Sequence, residues 1–185
     1  SNSGDDCDDC AGVPNGDAEL DVCDICGGDG SSCETPAAFE YNQSTQQAFY
    51  YFNTVTIDGE NVDVNDWVGA FNGETCVGAR KWDTSICGSG VCDLPIMGDD
   101  GYAETDGYMM TGEIPTFKIY DASENTYYDA VASEDIPWTN FGFNELENLQ
   151  NVIEGCTDSE ACNYADGANV DDGTCSYAEE NYDCD

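Results

Sequence analysis

Apolar and aromatic side chains concentrate between residues 37 and 154, in short runs separated by turn residues. AFYYFNTVTI (48–57) is rich in aromatic and β-branched residues and ends at Asp58-Gly59, a dipeptide suited to tight hairpin turns. DWVGAFNGETCVGARKW (66–82) places two apolar-rich runs around Asn72-Gly73, which predicts a hairpin with a type I′ turn. PTFKIYDASENTYYDAV (115–131) predicts a third hairpin with ASEN as its loop. NELENLQNVI (144–153) reads as a short helix or a final strand. Short strands with turns at this spacing predict a mainly β fold, an antiparallel β-sandwich. Trp67, Phe71, Val77, Phe117, Ile119 and Tyr127 are its expected core.

The two ends follow a different pattern. Residues 1–36 hold five cysteines and ten acidic residues, and residues 155–185 hold four cysteines and nine acidic residues. Neither segment has a basic residue or enough apolar surface to fold on a core of its own. The expected organisation is a Cys/Asp-rich module over 1–36, a β-sandwich over 37–154 and a second Cys/Asp-rich module over 155–185. Disulfides and metal ions are expected to replace the missing terminal cores, giving small disulfide- and calcium-stabilised loop-rich modules.

The twelve cysteines are Cys7, Cys10, Cys23, Cys26, Cys33, Cys76, Cys87, Cys92, Cys156, Cys162, Cys175 and Cys184. The C-x-x-C pairs Cys7/Cys10 and Cys23/Cys26 would suit zinc in a cytosolic protein, but the surrounding Asp residues are hard oxygen donors better suited to calcium. Disulfides are therefore expected, and with them an oxidising, secreted or cell-surface location. The odd counts of five and three in the first two segments suggest one bridge between them; the alternatives are a free thiol in each or a bond to another subunit. Cys87 and Cys92 bracket a four-residue loop they could close, and Cys162 with Cys175 is expected to fold the last module.

Charge sharpens this picture. Forty Asp and Glu stand against three cations, Arg80, Lys81 and Lys118, for a net charge of −37. That balance excludes nucleic acid as an expected partner, and it disfavours docking on an anionic membrane. No apolar run is long enough for a membrane span, so direct membrane insertion is not expected. Ser1 is expected to follow a cleavage boundary, in a mature secreted product or part of one. Self-repulsion of this size calls for divalent cations, and Ca2+ is the expected cofactor.

No stretch fits the EF-hand pattern, so any calcium loop is of another kind. The first candidate is GDDGYAETDGY (98–108), with Asp99, Asp100, Glu104 and Asp106. The second is Asn163, Asp166, Asp171 and Asp172, and the third Asp5, Asp8, Asp24 and Asp29. The bland reading of each is a solvated acidic loop. Catalysis is not expected: the chain lacks histidine, which removes Ser-His-Asp and Cys-His mechanisms, and no phosphate-binding glycine loop stands out. Trp82 and Trp138, the latter in IPWTNFGF, are candidate exposed rings for a sugar, against the alternative that such rings fill the core, and Arg80 with Lys81 is a candidate docking point for another subunit's acidic face, against local ion pairing. Asn42 opens the sequon Asn42-Gln43-Ser44, a candidate glycan attachment.

VCDICGGDGSSC (22–33) resembles the end of the cysteine-rich region of secreted metalloproteinases with thrombospondin motifs, although it carries no protease residue. DCAGVPNGDAELDVCDICGGDGSSC and GCTDSEACNYADGANVDDGTC look like modules repeated in large secreted proteins of aquatic microbes, with Asp/Gly phrasing similar to thrombospondin type 3 calcium repeats. DWVGAFNGETCVGARKW with FKIYDASENTYYDA looks like a β-sandwich module found between such repeats. The resemblance implies an extracellular structural or adhesive protein. DDCDDC near the start and NYDCD at the end are chemically alike and suit calcium-bridged contacts. The expected partner is the chain itself, in a head-to-tail filament; the alternative is a secreted carbohydrate-binding module for surface glycans.

Overall fold

The computed structural model describes residues 9, 10, 12, 13, 16–19, 26, 34–178 and 184. The chain divides into two compact units, Ser1–Glu40 and Tyr41–Asp185. In the first, a disulfide joins Cys10 to Cys26. The Asp9 carboxylate accepts the amides of Val13 (2.8 Å) and Ala18 (3.3 Å). A 3-10 turn spans Ala37–Phe39.

The second unit is mainly β. Its strands are β1 (Gln47–Ile57), β2 (Glu60–Asn61), β3 (Trp67–Asn72), β4 (Thr75–Lys81), β5 (Cys92–Met97), β6 (Thr116–Asp121), β7 (Thr126–Ala132), β8 (Phe143–Asn151), β9 (Glu154–Gly155) and β10 (Val170–Asp171). The first eight form one curled sheet in the order β2-β1-β8-β7-β6-β3-β4, with β5 also paired to β1. It is mixed: β8 runs parallel to β1, and the other pairs are antiparallel. A curled mixed sheet thus stands where an antiparallel sandwich was expected. The parallel β1/β8 pair joins segments about ninety residues apart, a pairing that short-range pattern does not reveal.

Each predicted hairpin forms, with one change of turn. Ile57 pairs with Glu60, and Asp58 and Gly59 both have positive φ (50° and 83°), as a type I′ turn requires. In the next hairpin Asn72 pairs with Thr75, so the loop is Gly73-Glu74, one residue later than expected. Only Gly73 has positive φ there (61°), which rules out type I′. In the third hairpin the Asp121 carboxylate caps the loop by accepting the amides of Ser123 (2.8 Å) and Glu124 (3.0 Å). Of NELENLQNVI, residues 144–151 are strand, in β8, rather than helix.

The core fills the curl. Tyr50, Phe52, Val68, Leu94, Ile96, Phe117, Ile119 and Leu149 are buried together, with the Phe52 ring edge-on to Phe117 at 5.3 Å. Of the expected core residues, Phe71, Val77, Phe117 and Ile119 are buried, Trp67 is half-buried and Tyr127 is exposed. Tyr127 lies instead beside its cross-strand partner Tyr120, ring centroids 4.7 Å apart and planes tilted by 44°. The curl brings β4 back against β5. A Cβ on Gly78 would lie 1.9 Å from the carbonyl oxygen of Pro95, so only glycine permits this approach. Pro95 has no amide hydrogen to offer a ladder there. Arg80 closes the seam instead, donating to the backbone carbonyl of Asp93 (3.3 Å) and pairing with its carboxylate.

Two buried polar residues tie loops to this body. Asp66 accepts the amides of Asp63 (2.7 Å) and Ala122 (2.9 Å), and its carbonyl accepts that of Trp82 (2.7 Å). Asn151 exchanges two hydrogen bonds with Asp58, both 2.9 Å. Its carbonyl accepts from the Asn169 amide group (2.7 Å), while the Asn169 side-chain oxygen accepts the Ile153 amide (2.9 Å). Residues 154–178 are thereby fastened to the end of β8. In that segment only Cys156 and Ala161 are buried apolar residues. It is closed by Cys156–Cys175 and Cys162–Cys184 and by the two-residue β9/β10 pair.

Candidate functional site

In the acidic loops some side chains cap their own turns and others tie the loop to a distant segment. In the 98–108 loop, Asp100 accepts the Thr45 amide and hydroxyl (both 3.0 Å) on one oxygen and the Thr105 hydroxyl (2.7 Å) on the other. These donors hold its carboxyl well below the usual carboxylate range. Asp99 caps Gly101 (2.8 Å), and the Glu104 carbonyl accepts the Asn42 side-chain amide (3.0 Å). Asn42 is exposed, but its amide nitrogen is engaged in that bond.

The C-terminal set behaves similarly. Asn163 accepts the Ser176 amide (2.8 Å) and donates to the Thr174 carbonyl (2.9 Å). Asp171 caps Gly173 (3.0 Å), and Asp172 caps Thr174 (2.8 Å). The Thr174 bonds lower the Asp172 pKa, and the Tyr177 hydroxyl (2.7 Å) lowers that of Asp158. Asp5, Asp8, Asp24 and Asp29 lie outside the described residues. Among the described residues, no three His, Cys, Asp or Glu side chains converge as a metal-holding group. Asp99, Asp100, Glu104 and Asp106 lie in or beside the one loop, and Asp171 and Asp172 are adjacent in the turn before Cys175.

The cysteines pair in part as expected. Cys87–Cys92 closes the small loop before β5. Cys175 bonds to Cys156, and Cys162 to Cys184, which corrects the expected Cys162/Cys175 closure. Cys76 is a free thiol, so with Cys87 and Cys92 joined to each other no bridge leaves the central segment. Burial on β4 pushes the Cys76 thiol up to about 11. Cys7, Cys23 and Cys33 lie outside the described residues.

The two tryptophans expected at the surface are interior. Trp82 is 3 % exposed and packs against Phe52 (6.1 Å). Trp138 is 1 % exposed; its indole nitrogen donates to the Ile96 carbonyl (3.0 Å), and its ring covers Gly98 so closely that a Cβ there would lie 2.3 Å away. Arg80 is spent on the seam, and Lys81 sits across from Trp67 at the end of β4. Lys118 pairs with Asp129 and lies 5.8 Å from the Phe71 ring centre.

The exposed aromatics are others. Alternation along β1 sends Ala48, Tyr50 and Phe52 inward and Phe49, Tyr51 and Asn53 outward. Register then sets Pro95, Phe49 and Phe143 in one row and Asp93, Tyr51 and Glu145 in the next. A groove of about 430 Å³ beside them is lined by Tyr51, Asn53, Gly88, Val91, Asp93 and Glu145. The period-two pattern of AFYYFN held half of this information; the flanking strands came only with the fold. No helix among the described residues is long and apolar enough to cross a membrane. The disulfides match the chemistry of an oxidising compartment. No protein-family model, curated protein or solved structure matches the chain.

Proposed function

We propose that the chain is an extracellular structural subunit that associates head to tail into a calcium-stabilised, disulfide-bonded filament or adhesive fibre. The observation that carries this reading is the C-terminal segment: almost without a core, closed by two disulfides and fastened to the last strand of the sheet through Asn151 and Asn169. Covalent closure with polar anchoring suits a connector that transmits load. Carboxylates that cap turns singly suit ions shared between copies better than ions held within one copy. Bridging ions would also offset the mutual repulsion of chains carrying −37.

Negative-stain imaging with calcium analysis of the same native sample, before and after EGTA, tests the reading. Regular filaments that dissolve as calcium leaves are expected. Single calcium-containing particles whose association ignores the chelator would overturn it.

A further inference from the structure

The groove on the outer face of β5, β1 and β8 combines features that a solvated sheet face does not need. Its floor is the Tyr51 ring, set between Asp93 and Glu145 on the neighbouring strands. One wall is formed by Gly88 and Val91, in a loop locked by the Cys87–Cys92 disulfide. Asp93 is oriented by its ion pair with Arg80. In the next row Phe49 and Phe143 stack at 5.5 Å with planes 25° apart, and Phe143 is 70 % exposed. Side chains two residues apart on one strand face stand roughly 6.6 Å apart, so this pair extends the platform beyond the groove.

We propose that this groove binds a pyranose unit of a neutral polysaccharide, with the Phe49–Phe143 pair under an adjoining unit. A sugar ring offers an apolar C–H face to an aromatic floor and a rim of hydroxyls to planar polar groups. Tyr51 supplies the floor, while Asp93, Glu145 and Asn53 supply acceptors and donors on both sides. The volume falls within the range of small-ligand sites.

Other occupants fit less well. The groove presents two carboxylates, and Asp93 is already paired with Arg80, so it offers few of the roughly six to eight oxygens a calcium ion takes. A cationic ligand would meet an Asp93 that Arg80 already neutralises.

Isothermal titration of the intact, oxidised, single-copy chain with cellohexaose, laminarihexaose, mannohexaose and chitohexaose tests the proposal, with polylysine as the cationic probe. Binding to at least one hexasaccharide, unchanged between low and high salt, is expected. Tyr51→Ala should weaken it about tenfold, and Tyr51→Phe, which keeps the ring, by about twofold at most. Glu145→Gln should weaken it about threefold. Tyr102→Ala, removing an exposed ring on the 98–108 loop, should change nothing. Circular dichroism confirms that each variant is folded. The proposal fails if no hexasaccharide binds, if Tyr51→Ala binds as well as the parent, if Tyr102→Ala loses as much, or if only polylysine binds. It also fails if Tyr51→Ala abolishes self-association instead. Single copies suffice for the titration, so its failure leaves the filament reading standing, and the converse holds.

Discussion

The curled sheet over residues 47–151 and the segment over 154–178 each hold one conformation, by opposite means. The sheet buries a contiguous set of large side chains and uses few cross-links; its one disulfide closes a small loop rather than the core. The C-terminal segment buries almost nothing apolar and relies on two disulfides, carboxylate-capped turns and an asparagine anchor. Apolar burial scales with the size of the body, so a segment of this length must find its stability elsewhere. One chain therefore contains a part sensitive to cavities and a part sensitive to reduction.

That contrast can be broken at its strongest point first. Phe52→Ala empties the centre of the sheet, beneath Phe117 and Trp82, and is expected to cost about 3–5 kcal/mol in denaturant unfolding. Near-UV circular dichroism should report the lower midpoint. Replacing Cys156 and Cys175 by serine together should cost about 2–4 kcal/mol, and hydrogen exchange should locate the loss. Amides of 154–178 are expected to exchange faster while those of β1 and β8 keep their protection; equal loosening of both regions would show that they fold as one unit.

Asn169→Ala removes the acceptor for the Ile153 amide and the donor to the Asn151 carbonyl. The expected cost is about 1–3 kcal/mol, with early exchange at Ile153. The smallest effect is one of pH and differs in sign between the capped loops and the Asp66 junction. Hydrogen bonds hold Asp158, Asp172 and, in the 98–108 loop, Asp100 below the ordinary carboxylate range. Their stabilisation is complete above the unfolded value, roughly 3.9, and is lost as pH falls through the lower folded values. Burial raises Asp66. The folded state therefore binds its proton more readily, and stability falls as pH rises from the unfolded value through the folded one. Exchange measured down an acid series should show the capped loops loosening while the Asp66 junction does not.

How far the sequence could be read follows the same division. Period-two alternation and turn dipeptides act over a few residues, which is why β1, β3, β4, β6 and β7 were legible. Asn72-Gly73 misled by one residue because the pairing of Asn72 with Thr75 is set by the strands as well as by the dipeptide. Trp82 and Trp138 were expected outside because their neighbours in sequence are polar or turn-forming. Their burial depends on distant partners: Phe52 for the first, Gly98 and the Ile96 carbonyl for the second. The acidic loops were legible as loops, but which donor each carboxylate would meet was not. Asp100 finds Thr45, which is fifty-five residues away.

By itself, the sequence determined a mainly β body, a C-terminal segment almost without a core, disulfide chemistry and a chain without basic patches, because composition and short-range pattern carry those properties. The tertiary structure alone decided that β8 lies parallel to β1, that β4 meets β5 at Gly78 and Pro95, that Cys76 stays free, and that Tyr51 floors a groove between Asp93 and Glu145. Each of these depends on bringing segments far apart in the chain into register, and the free energy that selects the register resides in the shared core rather than in any one segment.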